Sequence, residues 1–167
     1  MVESSFSELL TVSIEMSTNI CWKGIMSVYI FDFDGVLAVP WTHPEMPYEK
    51  VVEFIKELHD SGKTLCLASY NPAAIQSLDR WGVRGLFTAM RAGSNHPWFG
   101  EYKNNHRIDM SKSLQIKNML SNELFPAKEE DCIFFDDTLE NIQLVNNELP
   151  KVQTLLIDPN RGLGQFC

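Results

Sequence analysis

Four aspartates in two short runs are the residues of this chain best suited to chemistry: Asp32 and Asp34 in Ile30-Phe31-Asp32-Phe33-Asp34-Gly35-Val36-Leu37, and the pair that ends Ile133-Phe134-Phe135-Asp136-Asp137. Each run closes an apolar stretch that reads as a buried strand, so hydrophobic burial delivers carboxylates to a common edge. Ionised carboxylates a few ångströms apart repel one another unless a cation compensates them. Residues two apart in a strand point to the same side, which lets Asp32 and Asp34 approach one site from one strand end. Gly35, lacking a Cβ, then lets the backbone turn away sharply. A hard divalent ion with oxygen ligands suits such a cluster, and Mg²⁺ suits it best. Either pair alone reads equally as ordinary loop acids after a strand. Two pairs in one small chain favour the metal, because buried charges are paired or bind metal.

The elements that must position these groups alternate between strand and helix. The pattern predicts strands at 28–33, 64–68, 86–90, 132–135 and 152–157. Between them it predicts helices at 48–59, from Pro72 to about Trp81, at 111–123 with Leu114, Ile116, Met119 and Leu120 inside, and at 139–146. Such alternation implies right-handed crossovers and a central, mainly parallel five-stranded sheet with helices on both faces, a Rossmann-like α/β/α sandwich. Ligands in such sheets bind beyond the carboxyl ends of the strands, where both acidic runs fall.

With 167 residues, 44% hydrophobic and 22% charged, the chain fits one globular domain at 26–167 behind an N-terminal extension, 1–25, read as a tail or docking segment. A net charge of -8 counts against broad binding to nucleic acid or anionic membrane. Cys21, Cys66, Cys132 and Cys167 follow no metal-ligand spacing and read as small hydrophobes in a reducing compartment. No segment looks long and apolar enough to span a membrane, and a basic start with an apolar signal core is missing, so the expected location is the cytoplasm. Oligomeric state is left open by the residues.

Four separated elements occur in a fixed order: Asp32-Phe33-Asp34-Gly35-Val36-Leu37, then Leu67-Ala68-Ser69-Tyr70-Asn71, then Lys112 at a helix start, then Phe134-Phe135-Asp136-Asp137. In this order they resemble the four motifs of the haloacid dehalogenase superfamily, over roughly residues 28–158. Within it the chain looks most like the small magnesium-dependent phosphatases that act on phosphotyrosine or sugar phosphates, on the strength of Ala68-Ser69 before a helix and of Asn141-Ile142 after the last motif. It departs from them at Val36, where many have Thr, and at Gly35, where that branch usually has a bulkier residue.

The resemblance implies a phosphatase working through an aspartyl-phosphate. Asp32 would be the nucleophile and Asp34 the general acid and then base. Mg²⁺ would be held by Asp32, by the main-chain carbonyl of Asp34 and by Asp136, with Asp137 acting through a metal-held water or orienting another ligand. Ser69 and the amides of Tyr70 and Asn71 would receive phosphoryl oxygens, although Ser69 and Asn71 would also serve as plain helix caps. Lys112 would offset the charge, with Lys117 as its competitor.

Too little chain separates the motifs for a cap domain, so an open site is expected. The loop 38–47 (AVPWTHPEMP) offers Trp41 and His43 for substrate recognition, and the loop 91–107 offers His96, Trp98, Tyr102, Lys103 and His106. Trp41 and Trp98 read equally as anchors of their loops. The expected partner is a phosphorylated small molecule or phosphoprotein. The basic loop around Lys103 and Arg107 leaves a nucleotide or polynucleotide-end phosphatase as a second possibility, and a phosphate-binding module without turnover is a third.

Overall fold

The two apolar runs that end in aspartates are neighbouring strands at the centre of one sheet. The computed structural model describes residues 26–93 and 111–166. The expectations placed on 1–25, on Cys21 and Cys167, and on His96, Trp98, Tyr102, Lys103, His106 and Arg107 lie outside the described residues. Strand β1 (Val28–Phe31) leads through a small hairpin, β2 (Ala38–Val39) and β3 (Met46–Pro47), into helix α1 (Val51–Asp60). There follow β4 (Thr64–Ser69), α2 (Ala74–Arg80), β5 (Phe87–Ala92), α3 (Lys112–Asn122), β6 (Cys132–Asp136), α4 (Leu139–Glu148) and β7 (Gln153–Leu156).

The main sheet has the order β5-β4-β1-β6-β7, and every pairing within it is parallel. After β1 the chain builds outward through β4 and β5, then returns to lay β6 on the other side of β1. The reversal point therefore lies between the two acidic strands, where the ends of neighbouring strands open a crevice. In-register pairing of Phe31 with Phe135 sets Asp32 and Asp136 side by side, and the Asp32 amide donates to the Phe135 carbonyl at 2.9 Å.

Alternation along the central strands divides the core in two. Tyr29, Phe31 and Phe135 stack with centroids 5.0 to 6.3 Å apart and pack with Phe54, Ile55 and Leu78 under α1 and α2. Val28, Ile30, Cys66, Cys132 and Phe134 meet Ile116, Met119, Ile142 and Val145 of α3 and α4 on the other face. This is the three-layer α/β/α arrangement with a five-stranded parallel sheet. Among the described residues no helix is long and apolar enough to cross a membrane.

Several boundaries differ from the sequence pattern. Helix α1 begins at Val51 rather than at 48, because Met46 and Pro47 are paired in the hairpin and Lys50 adopts a left-handed conformation (φ 66°). Pro72 does not open α2; the Asn71 carboxamide oxygen accepts from the Ala73 amide at 2.9 Å, making a side-chain turn before the helix. Leu114, expected inside α3, is 39% exposed, whereas the polar Lys112, Ser113 and Gln115 are buried. The start of α3 faces the site rather than the apolar core.

Candidate active site

Lys112 is the hub of the carboxylate cluster. Ser111 caps α3, its hydroxyl accepting from the Leu114 amide at 3.3 Å, and this sets the following lysine inward, 1% exposed. The Lys112 Nζ donates to Asp32 Oδ1 at 2.6 Å and to the Ala68 carbonyl at 2.7 Å, and lies 3.3 Å from Asp136 Oδ2. Its main-chain amide donates to the Tyr70 hydroxyl at 3.1 Å, and the Tyr70 ring centroid is 4.7 Å from the ammonium. Lys117, the competitor, is half exposed and sits 3.5 Å from Glu148 on the surface.

Asp136 is fully buried. Its Oδ1 accepts from the Thr138 amide at 2.8 Å and its Oδ2 from the Asn141 carboxamide at 3.2 Å. Ligand atoms of Asp32, Asp136 and Asp137 lie within 4.8 Å of one another. The Asp34 side chain is outside this trio; its Oδ2 accepts from Asn71 Nδ2 at 3.1 Å and it lines an adjoining cleft. Gly35 (φ 79°) shows why the glycine stands where the resembled branch carries bulk: a Cβ there would fall 2.2 Å from Asp137 Oδ2. The turn after β1 and the end of β6 are in contact at this point, and a side chain would displace Asp137.

Burial dominates the electrostatics. It pushes the Asp32 carboxyl up to about 6, against the opposing pull of Lys112, and pushes Asp136 up to about 6, with Asp32 adding to the effect. Asp137 is raised by burial and then by Asp136. Asp34 is raised by burial, opposed by its hydrogen bond from Asn71 and reinforced by Glu45. Burial pulls the Lys112 ammonium down, but Asp32 and Asp136 together outweigh it and keep it charged. Two of the three carboxylates, Asp32 and Asp136, thus share one buried cation while Asp137 lies beside them, and oxygen donors in that state fit a hard divalent ion.

Ser69 is buried, and its hydroxyl accepts from the Asn71 amide at 3.0 Å. That amide, expected to receive a phosphoryl oxygen, is therefore engaged with Ser69, and an incoming anion would have to displace the hydroxyl. Asn71 does two jobs: its oxygen caps the turn into α2 while its nitrogen holds Asp34. Trp41 does not anchor its loop, being 95% exposed, and His43 is exposed beside it.

Two contributors had no motif to announce them. Glu45 ties the hairpin to α2: its Oε2 accepts from Ser77 Oγ at 2.9 Å and Arg80 Nη2 at 3.1 Å, while its carbonyl accepts from Trp81 Nε1 at 3.2 Å. Tyr48 at the hairpin base donates its hydroxyl to the Pro159 carbonyl. The hairpin, Asp34, Asn71 and the segment around Pro159 and Asn160 enclose a cleft of about 800 Å³ next to the carboxylates.

No protein-family model matches the sequence, and no curated protein sequence matches it. Solved structures do resemble its fold. A haloacid dehalogenase-like hydrolase from Streptococcus pneumoniae aligns over 86% of this chain and 91% of its own, with a TM-score of 0.61 at 13% identity. The N-terminal part of a Bacteroides fragilis protein, which contains a phosphatase domain and is complexed with Mg, aligns over 98% of this chain and 43% of its own, with a TM-score of 0.62 at 16% identity. The 3-deoxy-D-manno-octulosonate 8-phosphate phosphatase from Moraxella catarrhalis, in complex with magnesium, phosphate and its sugar, aligns over 75% and 66%, with a TM-score of 0.52 at 12% identity. The strand order, the crevice and these likenesses agree: the chain has the fold of the haloacid dehalogenase-like phosphatases.

Proposed function

We propose that the chain is a Mg²⁺-dependent phosphomonoesterase that uses Asp32 as its nucleophile. The observation that carries the reading is the convergence of Asp32, Asp136 and Asp137 at the ends of two adjacent strands, with the buried ammonium of Lys112 against Asp32 and Asp136. Asp32, Asp136 and Asp137, with the main chain of Asp34, would hold the ion, which when bound supplies positive charge against a phosphoryl oxygen and keeps the carboxylates ionised.

A carboxylate oxygen of Asp32 attacks phosphorus, the ester bond to the leaving oxygen breaks, and a proton from Asp34 passes to that oxygen. Burial favours the protonated form of Asp34 that this step needs, and Asn71 fixes the carboxyl at the edge of the cleft. A water then attacks the aspartyl-phosphate, Asp34 takes its proton, and inorganic phosphate leaves. Lys112 stays in contact with Asp32 throughout and offsets charge as it develops. Ser69 and the adjoining amides would receive the remaining phosphoryl oxygens. The substrate class is a phosphate monoester on a small molecule or protein, admitted through the open cleft.

Phosphate release from p-nitrophenyl phosphate with Mg²⁺ or with chelator tests this directly. Turnover should require the ion, and Asp32→Asn should abolish it; full activity in that variant refutes the mechanism.

A further inference from the structure

The polar start of α3 is held from two sides. From β4 and the residue after it, the Ser69 carbonyl accepts from the Gln115 carboxamide at 2.9 Å and the Tyr70 hydroxyl from the Lys112 amide at 3.1 Å. From α4, Glu148 Oε2 accepts from the buried Ser113 hydroxyl at 2.6 Å, although Glu148 itself is exposed. No step of the proposed reaction uses Glu148.

The protons in this contact run one way. A carboxylate has none to give, so Ser113 donates, and its single hydroxyl proton is then committed. In the 3.1 Å contact between the Ser111 and Ser113 hydroxyls, Ser111 is therefore the donor. Ser111 in turn accepts from the Leu114 amide, the bond that caps α3. Hydrogen bonds thus run from the Leu114 amide through Ser111 and Ser113 to Glu148, each donor polarised toward the charge at the far end. The two serines flank Lys112.

Glu148 does not serve its own helix. It is the last residue of α4, where a negative charge meets the negative end of the helix dipole. Its contact with Lys117, at 3.5 Å between two exposed side chains, is the weaker kind, and the short bond from a buried hydroxyl is the stronger. The start of the same helix touches the site, since the Thr138 amide and the Asn141 carboxamide both donate to Asp136. Helix α4 therefore holds a carboxylate at one end and, at the other, the helix that carries the cation. Of the polar contacts of the Lys112 ammonium, those with Asp32 and Ala68 are 2.6 and 2.7 Å and that with Asp136 is 3.3 Å, the longest. Without the hold from α4, the start of α3 would settle toward β4, and the ammonium would draw away from Asp136.

We infer that Glu148 is a positioning residue for Lys112: acting through Ser113 and Ser111, it fixes the first turn of α3 and with it the place of the ammonium between Asp32 and Asp136. Its effect on turnover rests on the phosphatase reading; its effect on the ammonium does not.

The test compares Glu148→Ala, Ser113→Ala, the two together, and Glu148→Gln, which keeps an acceptor without the charge, all in the full chain. Alanine suits a helix at both positions, and melting curves set a temperature at which every variant is folded. With Mg²⁺ and p-nitrophenyl phosphate, each single alanine variant should lower kcat by about tenfold or more while KM stays within about twofold, because a displaced charge-offsetting group is missed chiefly in the transition state. Glu148→Gln should lose less. The double variant should be no slower than the slower single one, since both changes cut one chain. In chelator, the heteronuclear NMR signal of the Lys112 ammonium, identified by its loss in Lys112→Met, should shift in both alanine variants. An unchanged kcat, losses that multiply in the double variant, or an ammonium signal that stays in place overturns the inference; a lowered melting temperature alone would mark a structural role only. If the signal shifts while even the unsubstituted chain hydrolyses no ester, the positioning role stands and the phosphatase reading falls.

Discussion

Replacing Lys112 with methionine keeps most of the buried stem and removes the charge that holds the site together. The ammonium donates to Asp32 and to the Ala68 carbonyl and faces Asp136, all within 3.3 Å and away from solvent. Breaking a buried ion pair from one side costs about 3–5 kcal/mol, because the remaining charge is left without a partner. The Ala68 carbonyl would lose a donor as well, worth about 1 kcal/mol. For a chain of this size each kcal/mol moves the melting temperature by about 2–4 °C, so a drop of about 10 °C is expected near pH 7.5 in chelator.

The deficit should depend on pH in a definite direction. Asp32 and Asp136 already sit at about 6 in the folded protein through burial, with Lys112 opposing the shift, and losing Lys112 raises them further. Their folded values lie above the unfolded ones, so the folded state binds more protons between the two, and stability rises as pH falls through the folded value. At about pH 5.5 the variant should recover much of its loss, and Mg²⁺ at about pH 7.5 should recover part of it by replacing the missing charge. Thermal denaturation followed by circular dichroism reads all three conditions. A deficit in chelator that is below about 3 °C, or equal at both pH values, would refute the assignment of Lys112 as the compensating charge.

Gly35→Ala should lower stability by about 2 kcal/mol or more from the positive φ and the collision with Asp137, and should weaken Mg²⁺ binding beyond what the stability loss explains; calorimetric titration of the folded variant checks this. Tyr70→Phe removes the acceptor for the Lys112 amide while keeping the ring over the ammonium, so it should cost about 1 kcal/mol and leave Mg²⁺ affinity near wild type, whereas Tyr70→Ala should lower both, as melting curves and titration will show. Mg²⁺ affinity in the wild type should fall steeply as pH drops through about 6, because protons compete for Asp32 and Asp136; titrations across that range that show constant affinity would argue against these ligands.

The sheet was legible because its central strands are runs of apolar residues bounded by acids and glycine, and a parallel sheet buried on both faces leaves just such runs. Lys112 was legible from its order among the other motifs and its place at a helix start next to Ser111, but its burial was not, since no local pattern separates a buried lysine from a solvated one. The hairpin escaped notice for a different reason. Strands of two residues, Ala38–Val39 and Met46–Pro47, are too short to show alternation, and three prolines in that loop argue against strand. What holds it is long-range: Glu45 to Ser77 and Arg80, and Tyr48 to Pro159. Leu114 was misplaced because helical spacing marks a face without saying what lies opposite, and here the buried face is polar near the site.

Because Asp32 and Asp136 project from hydrogen-bonded neighbours, their separation is inherited from the spacing of paired strands, about 4.8 Å, and not from how the side chains beneath happen to pack. The reactive centre is thus gauged by the peptide backbone. Substitutions in the two apolar layers can loosen the molecule or shift its melting point while the gap between the acids stays put, and only a slip of one strand along the other would change it. A chain built this way can drift far in its interior and still keep the same distance between the groups that matter.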